Sequence, residues 1–401
     1  MGSRETVELS DVFGISRGIP LTYVRRREVD DSFVNNLARG RHIVVFGASK
    51  QGKTCLRRQW LEDEQYILVQ CSTGQSREAV YELLLKRAGA KVSVTDKKTV
   101  KGTYKINVEF YSGEVAEQTE TASTSLELDP ADCNDVIRAL SDLSFSKHIV
   151  LEDFHYLEEK VQRELAFDLK AFHEQSSIIM IVVGVWLETN RLILYNGDLA
   201  GRLIPIDADG WSPDDLGRVI AIGEDLLNFR FPPNVRDALV LGCGGNVGLL
   251  QEACSRICAN GGVVTTQDLC KSIGSLEQVE QVLGDVADEH AARYRNYLAL
   301  VCDGDSVEAG RRLVIRAILE APRAKRISGL RVQELGDVVG SVEDARQAVT
   351  QLIEIQQQNQ VKPIILDWDA GENVLRIVDG GFQLFLDFQK REHLLAAAGL
   401  D

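Results

Sequence analysis

Lys53 and Thr54 end the run Gly47-Ala48-Ser49-Lys50-Gln51-Gly52-Lys53-Thr54, which satisfies G-x-x-x-x-G-K-[ST]. Gly47 and Gly52 permit the tight, positive-φ turning that aims successive backbone N–H groups at phosphate oxygens. Ser49, Lys50, Gln51 and Cys55 are expected to complete the cradle, Lys53 to reach the outer phosphates of a nucleoside triphosphate, and Thr54 to ligate Mg²⁺. Far downstream, His148-Ile149-Val150-Leu151 leads into Glu152-Asp153. An apolar strand that delivers two acids at its carboxyl end can orient the metal with one carboxylate and polarise an attacking water with the other. Glu152 is assigned to the metal and Asp153 to the water.

These groups work only if particular elements carry them. His42–Phe46 is an apolar run short enough for a buried strand, and Cys55–Leu61 has helical character, so the glycine loop lies between strand and helix as its chemistry requires. The helix amino end adds positive potential at the phosphates. Tyr66–Cys71 reads as a second strand and Arg77–Arg87 as an amphipathic helix with Val80, Leu83 and Leu84 on one face. Between Lys91 and Pro130 the chain turns rich in Thr, Lys, Glu and Ser. There Tyr104, Ile106, Val108 and Phe110 alternate with polar residues ahead of a Ser112-Gly113 turn, which predicts an inserted β-hairpin near 92–130 with an acidic return strand carrying Glu114, Glu117 and Glu120. A protein contact is favoured for it over DNA reading.

Pro130–Leu143 is predicted as a helix with Asp129 as its cap, and Glu158–Glu174 as a long amphipathic helix. Ile178–Trp186 and Leu203–Ile206 are the remaining apolar strands, with Asn190 and Arg191 between them as rival polar sensors of a terminal phosphate. Arg25-Arg26-Arg27 precedes the first strand. It is read as reaching nucleotide, a partner or nucleic acid, or else as a solvated basic turn.

Composition narrows the class. A net charge of −15 over 401 residues opposes broad affinity for nucleic acid, which depends on phosphate neutralisation. No run is apolar enough to span a bilayer, and Met1–Glu5 has no apolar signal segment. The 8 cysteines are scattered, as expected of reduced thiols in a cytoplasmic protein, and Cys254 and Cys258 lack the partners of a zinc site.

Taken together, the glycine loop, the Glu152-Asp153 pair followed by Phe154-His155-Tyr156-Leu157, the apolar sensor strand and Gly201-Arg202 before the last strand resemble the AAA+ superfamily of ATPases and their STAND relatives. The resemblance covers about residues 20–275. It implies an α/β P-loop NTPase core with a parallel sheet (1–210), a helical lid (211–275) with helices over Ser212–Leu227, Pro233–Leu241 and up to Asn260, and ATP with Mg²⁺ as ligands. It also implies that Arg202 acts as an arginine finger in a neighbouring subunit's site, with Asn190 as sensor. Many relatives carry an arginine at the start of the late lid helix, where this chain has Asn246, Val247 and Gly248. That departure points from motors toward STAND switches, initiators and transposition ATPases.

Residues 276–401 read as a long connecting helix, Leu276–Asp303, then helices over Val307–Leu319, Leu330–Val339 and Val342–Gln357, strands over Lys362–Asp367 and Val374–Val378, and a closing helix, Phe382–Leu395. Three helices and a hairpin resemble a winged helix. Glu343, Asp344, Glu354, Asp367, Asp369 and Glu372 surround Arg346, so protein docking is favoured over DNA binding. The expectation is a slow, oligomeric ATPase switch that recruits an effector protein, suited to prokaryotic defence. The rivals are a DNA-binding initiator or transposition regulator, and a scaffold that binds nucleotide without hydrolysis.

Overall fold

The computed structural model describes residues 6–14, 18–94, 106–111, 123–186, 191–303 and 309–400. Strands β1 (His42–Phe46), β2 (Tyr66–Gln70), β3 (Lys91–Val94), β4 (Ile106–Tyr111), β5 (Ser123–Leu128), β6 (His148–Glu152), β7 (Met180–Val183) and β8 (Leu203–Asp207) belong to the first half of the chain. Five form a parallel sheet in the order β2-β6-β7-β1-β8. Its apolar runs are continuous because both faces are covered. Val44, Phe46, Val69, Ile149, Leu151 and Val182 enter one core, whereas Ile43, Val45, Val150, Ile181, Val183 and Ile206 enter the core on the other face. That period-two division fixes which residues leave the sheet at its carboxyl edge.

In the insert β4 and β5 pair antiparallel, as the predicted hairpin requires, and β3 adds a third antiparallel strand on β4. The return strand is Ser123–Leu128; the acidic stretch assigned to it lies outside the described residues. The next helix is Cys133–Asp142, starting later than predicted. Asp132 accepts from Asn134 N and caps it, while Asp129 closes a local turn onto Ala131 N. Two aspartates compete to cap, and the second wins.

Helices Pro213–Leu227, Pro233–Gly242 and Val247–Asn260 form the helical unit beyond the sheet. Ser212 and Asp215 cap the first reciprocally. The amino-terminal helix Leu9–Phe13 and helix Leu276–Glu289 share its apolar core through Phe13, Val279, Leu283 and Val286, which divisions at 210 and 275 do not anticipate. Cys254 and Cys258 are buried in that core as thiols.

The connecting helix is broken at His290 into Leu276–Glu289 and Ala291–Cys302. The first half packs on the lid core and the second, through Tyr294, Tyr297 and Leu298, on the carboxyl-terminal core. One straight helix cannot serve both. The last region has helices Ala309–Glu320, Arg323–Ser328, Val332–Val339 and Val342–Gln358, strands Leu330–Arg331, Leu366–Asp369 and Val374–Ile377 in one small sheet, and two closing helices, Gly380–Phe388 and Arg391–Ala397, in place of one. No helix among the described residues is long and apolar enough to cross a membrane.

Candidate functional site

The carboxyl edge of the sheet opens into a cavity of about 360 Å³ lined by Lys53, Thr54, Glu152 and Asp153 at one end and by Pro20, Thr22, Tyr23, Val24, Arg26 and the lid at the other. Gly52 has φ 84° and caps helix Lys53–Trp60, a conformation that disfavours a side chain. Lys53 is buried, its Nζ donating to the carbonyl oxygens of Gly47 at 3.0 Å and Ala48 at 2.5 Å. Burial pulls its pKa down to about 8. Thr54 Oγ1 donates to Glu152 Oε1 at 2.9 Å. Ser49, Lys50, Gln51, Gly52 and Cys55 also line the cavity, so most of the residues nominated from sequence converge there; Gly47 participates through its carbonyl.

Asp153 sits beyond the strand in the left-handed region, φ 56°. Its Oδ2 accepts from Gln70 Nε2 at 2.6 Å, and burial raises its pKa. Gln70 was not foreseen. It pairs in register with Glu152 on the neighbouring strand, so its side chain leaves the sheet beside the acids. Arg57 was also missed, although it follows Thr54 at i+3 on the same helical face. It is fully buried, its Nε 3.5 Å from Glu152 Oε2 and its guanidinium 4.6 Å from the Tyr66 ring centroid.

The donor set suits a hard divalent cation. Thr54 and Glu152 supply one hydroxyl and one carboxylate, and buried Glu152 Oε2 has no hydrogen-bond partner. No cluster of three or more His, Cys, Asp or Glu ligands occurs among the described residues.

The glycine loop is held from outside as well. Asp209 accepts from Ala48 N with both oxygens at 2.9 Å, and burial raises its pKa to about 6. Gly248 N, in the first turn of the lid helix, donates to Lys50 O at 3.1 Å. A Cβ on Gly248 would lie 2.5 Å from Lys50 Cβ, so no larger side chain fits at this position. Ser49 N donates to Val378 O, at the end of the carboxyl-terminal sheet, at 3.1 Å. From the same region Lys362 Nζ stands 4.3 Å from the Tyr156 ring centroid, and Asp367 pairs with Arg191 at 3.3 Å.

Other nominated residues lie elsewhere. Arg202 is at the amino edge of the sheet, where its carbonyl accepts from His42 N; its side chain bonds Glu174 and Asp198 O. The length of β1 therefore separates it from the loop of its own chain. Asn190 is outside the described residues. Of the arginine triplet, Arg25 pairs with Asp31, and Arg26 lines the cavity, stacking 4.1 Å from the Trp211 ring centroid and donating to the carbonyls of Ala208 and Asp209.

Known proteins resemble this chain in its fold. Residues 37–192 match the family model of the AAA domain. No curated protein matches the chain in sequence. Among solved structures, a Walker-type ATPase of Pyrococcus abyssi superposes with a TM-score of 0.53 at 16% identity, covering 94% of this chain and 99% of its own. Cdc6p of Pyrobaculum aerophilum gives 0.44 at 11% identity, covering 98% of each chain. The RuvB Holliday junction branch migration motor of Thermotoga maritima gives 0.40 at 11%, covering 92% and 96%. The fold is that of a P-loop ATPase. Its nucleotide-binding core carries an ATPase domain of AAA type, and the chain is an ATPase.

Proposed function

We propose that this protein is an ATP-dependent molecular switch: Mg-ATP binds between core and lid, and occupancy of the loop governs how the carboxyl-terminal region is held. The observation that carries the reading is the bonding of one loop to three parts of the chain. Ser49 N bonds Val378 O, Lys50 O bonds Gly248 N and Ala48 N bonds Asp209, while Lys53 holds the loop's own Gly47 O and Ala48 O. A triphosphate that recruits Lys53 and the loop amides must work against this arrangement, which couples binding to the lid and to residues 362–380.

In this reading Lys53 turns from the loop carbonyls to the outer phosphates, and Thr54 with Glu152 holds Mg²⁺, which would neutralise phosphate charge. Asp153, fixed by Gln70, takes the proton of the attacking water; a carboxylate whose pKa is raised is a better base. Arg202 serves a neighbouring copy, and helices Ala309–Glu320, Val332–Val339 and Val342–Gln358 with their small sheet act as a winged helix that docks protein. Arg346 on its third helix is engaged with Asn373, and acids flank it, which disfavours DNA. The setting is cytoplasmic, an ATP-bound homo-oligomer engaging an effector, as in a prokaryotic defence system of STAND type.

Hydrogen exchange with and without Mg-ATP tests the coupling. Exchange around Val378 should change on ATP addition in the native chain and stay unchanged in Lys53→Ala. An exchange pattern at 362–380 indifferent to ATP that demonstrably binds would remove the switch and leave a simple ATPase. Salt-sensitive DNA binding in a gel shift would favour the initiator-like alternative.

A further inference from the structure

The cavity has two chemically different ends. Phosphate chemistry belongs with Lys53 and the acids; the far end, walled by Pro20, Val24, Val219 and Val247, suits a flat apolar ring. Two polar side chains on that wall, Thr22 and Gln251, are 1% and 7% exposed. Thr22 Oγ1 donates its single proton to Val12 O at 2.6 Å. Its oxygen can then only accept, and the partner at 2.8 Å is Gln251 Nε2. The hydroxyl thus fixes which way the amide faces. Gln251 Oε1 is left buried with no hydrogen-bond partner. An unpaired buried carbonyl is destabilising, and such an atom in a native fold calls for a donor, either an ordered water or a group that arrives with a ligand.

We infer that Gln251 is the base-reading residue of this site: its Oε1 accepts from the exocyclic amine at C6 of adenine. Guanine presents a carbonyl oxygen at that position, so the same atom repels it. Thr22 is the positioning residue that keeps the amide from turning over. This rests on the proposal that the cavity binds a nucleoside triphosphate, and it assigns the choice of base to one atom.

The test uses ATP, GTP and purine riboside 5′-triphosphate, which lacks only the amine, measured by calorimetry on the full-length protein and on Gln251→Met. The native chain should bind ATP about tenfold tighter than purine riboside triphosphate, the worth of one buried hydrogen bond with its desolvation. Gln251→Met should lose that factor for ATP, leave purine riboside triphosphate unchanged and narrow the gap to GTP. Equal binding of ATP and purine riboside triphosphate by the native chain overturns the assignment without any variant. So does a Gln251→Met protein that weakens both ligands alike, which would mark a packing role. Failure of every triphosphate to bind is a different result: it removes the nucleotide reading, and this inference with it.

Discussion

The two edges of the central sheet are built from similar residue types put to opposite uses. At the carboxyl edge, Lys53, Glu152 and Asp153 are desolvated and gathered around one cavity, with titration shifts at Lys53 and Asp153 caused by burial. At the amino edge, Arg202, Glu174, Lys170 and Asp198 form partly exposed pairs. Desolvation makes a charge expensive and therefore responsive to a ligand; solvation makes it cheap and replaceable. Where strands end thus decides which charged groups can do chemistry.

The contrast breaks most sharply at Asp153. Asp153→Asn keeps size and the contact to Gln70 but removes the base. Turnover should fall on the order of 10²–10⁴-fold, the usual worth of general-base assistance, with ATP affinity nearly unchanged. Single-turnover kinetics beside equilibrium binding check it. A variant that hydrolyses ATP normally takes the base role away from Asp153.

Lys53 sharpens the comparison through pH. Its pKa in the free protein is about 8, so above that value the ammonium must be restored before it can meet phosphate. ATP affinity should be flat below pH 8 and fall by up to about tenfold per unit above it, until the pKa of the bound form is passed. Calorimetry between pH 7 and 9.5 in buffers of different ionisation heat reads both the slope and the proton taken up.

The phosphate end was legible because its residues are contiguous: Gly47–Thr54 and Glu152-Asp153 each carry their geometry in a short stretch. The base end was not, because Thr22 and Gln251 lie 229 positions apart and meet only when the lid closes on the amino-terminal segment. Continuous apolar runs gave the strands of the central sheet, since both its faces are buried. Apolar patterning could not show the break at His290, where Val286 and Tyr294 belong to different cores though no glycine or proline lies between them. Nor could it distinguish Asp132 from Asp129 as a helix cap. Asp209, which braces Ala48, sits in a linker with no motif.

At the amino edge, His42 shows burial used for stability rather than reaction. Its Nδ1 accepts from Met180 N at 3.0 Å, so Nε2 carries the proton and donates to Leu169 O at 2.9 Å. Burial lowers its pKa to about 4. The unfolded chain binds a proton near pH 6.5 and the folded chain does not, so stability is full above 6.5 and is lost as pH falls through 4. The shift corresponds to an upper bound of about 3 kcal/mol. Urea unfolding at pH 7 and pH 4.5 should show a smaller pH dependence in His42→Gln than in the native chain; an unchanged dependence would assign acid sensitivity to other groups.

Arg202 should give the smallest effect on the isolated chain, and for a stated reason. Its pairing with Glu174 joins side chains 34% and 44% exposed, a contact typically worth between zero and about 1 kcal/mol. In the proposed oligomer a neighbouring subunit's phosphates take the guanidinium away at little cost. Arg202→Ala should melt within a few degrees of the native chain and bind ATP with affinity changed less than about twofold. Turnover per subunit should rise with protein concentration in the native chain and stay flat in Arg202→Ala. Parallel concentration curves for the two proteins would show that the amino edge contributes an ordinary surface pair and nothing to catalysis.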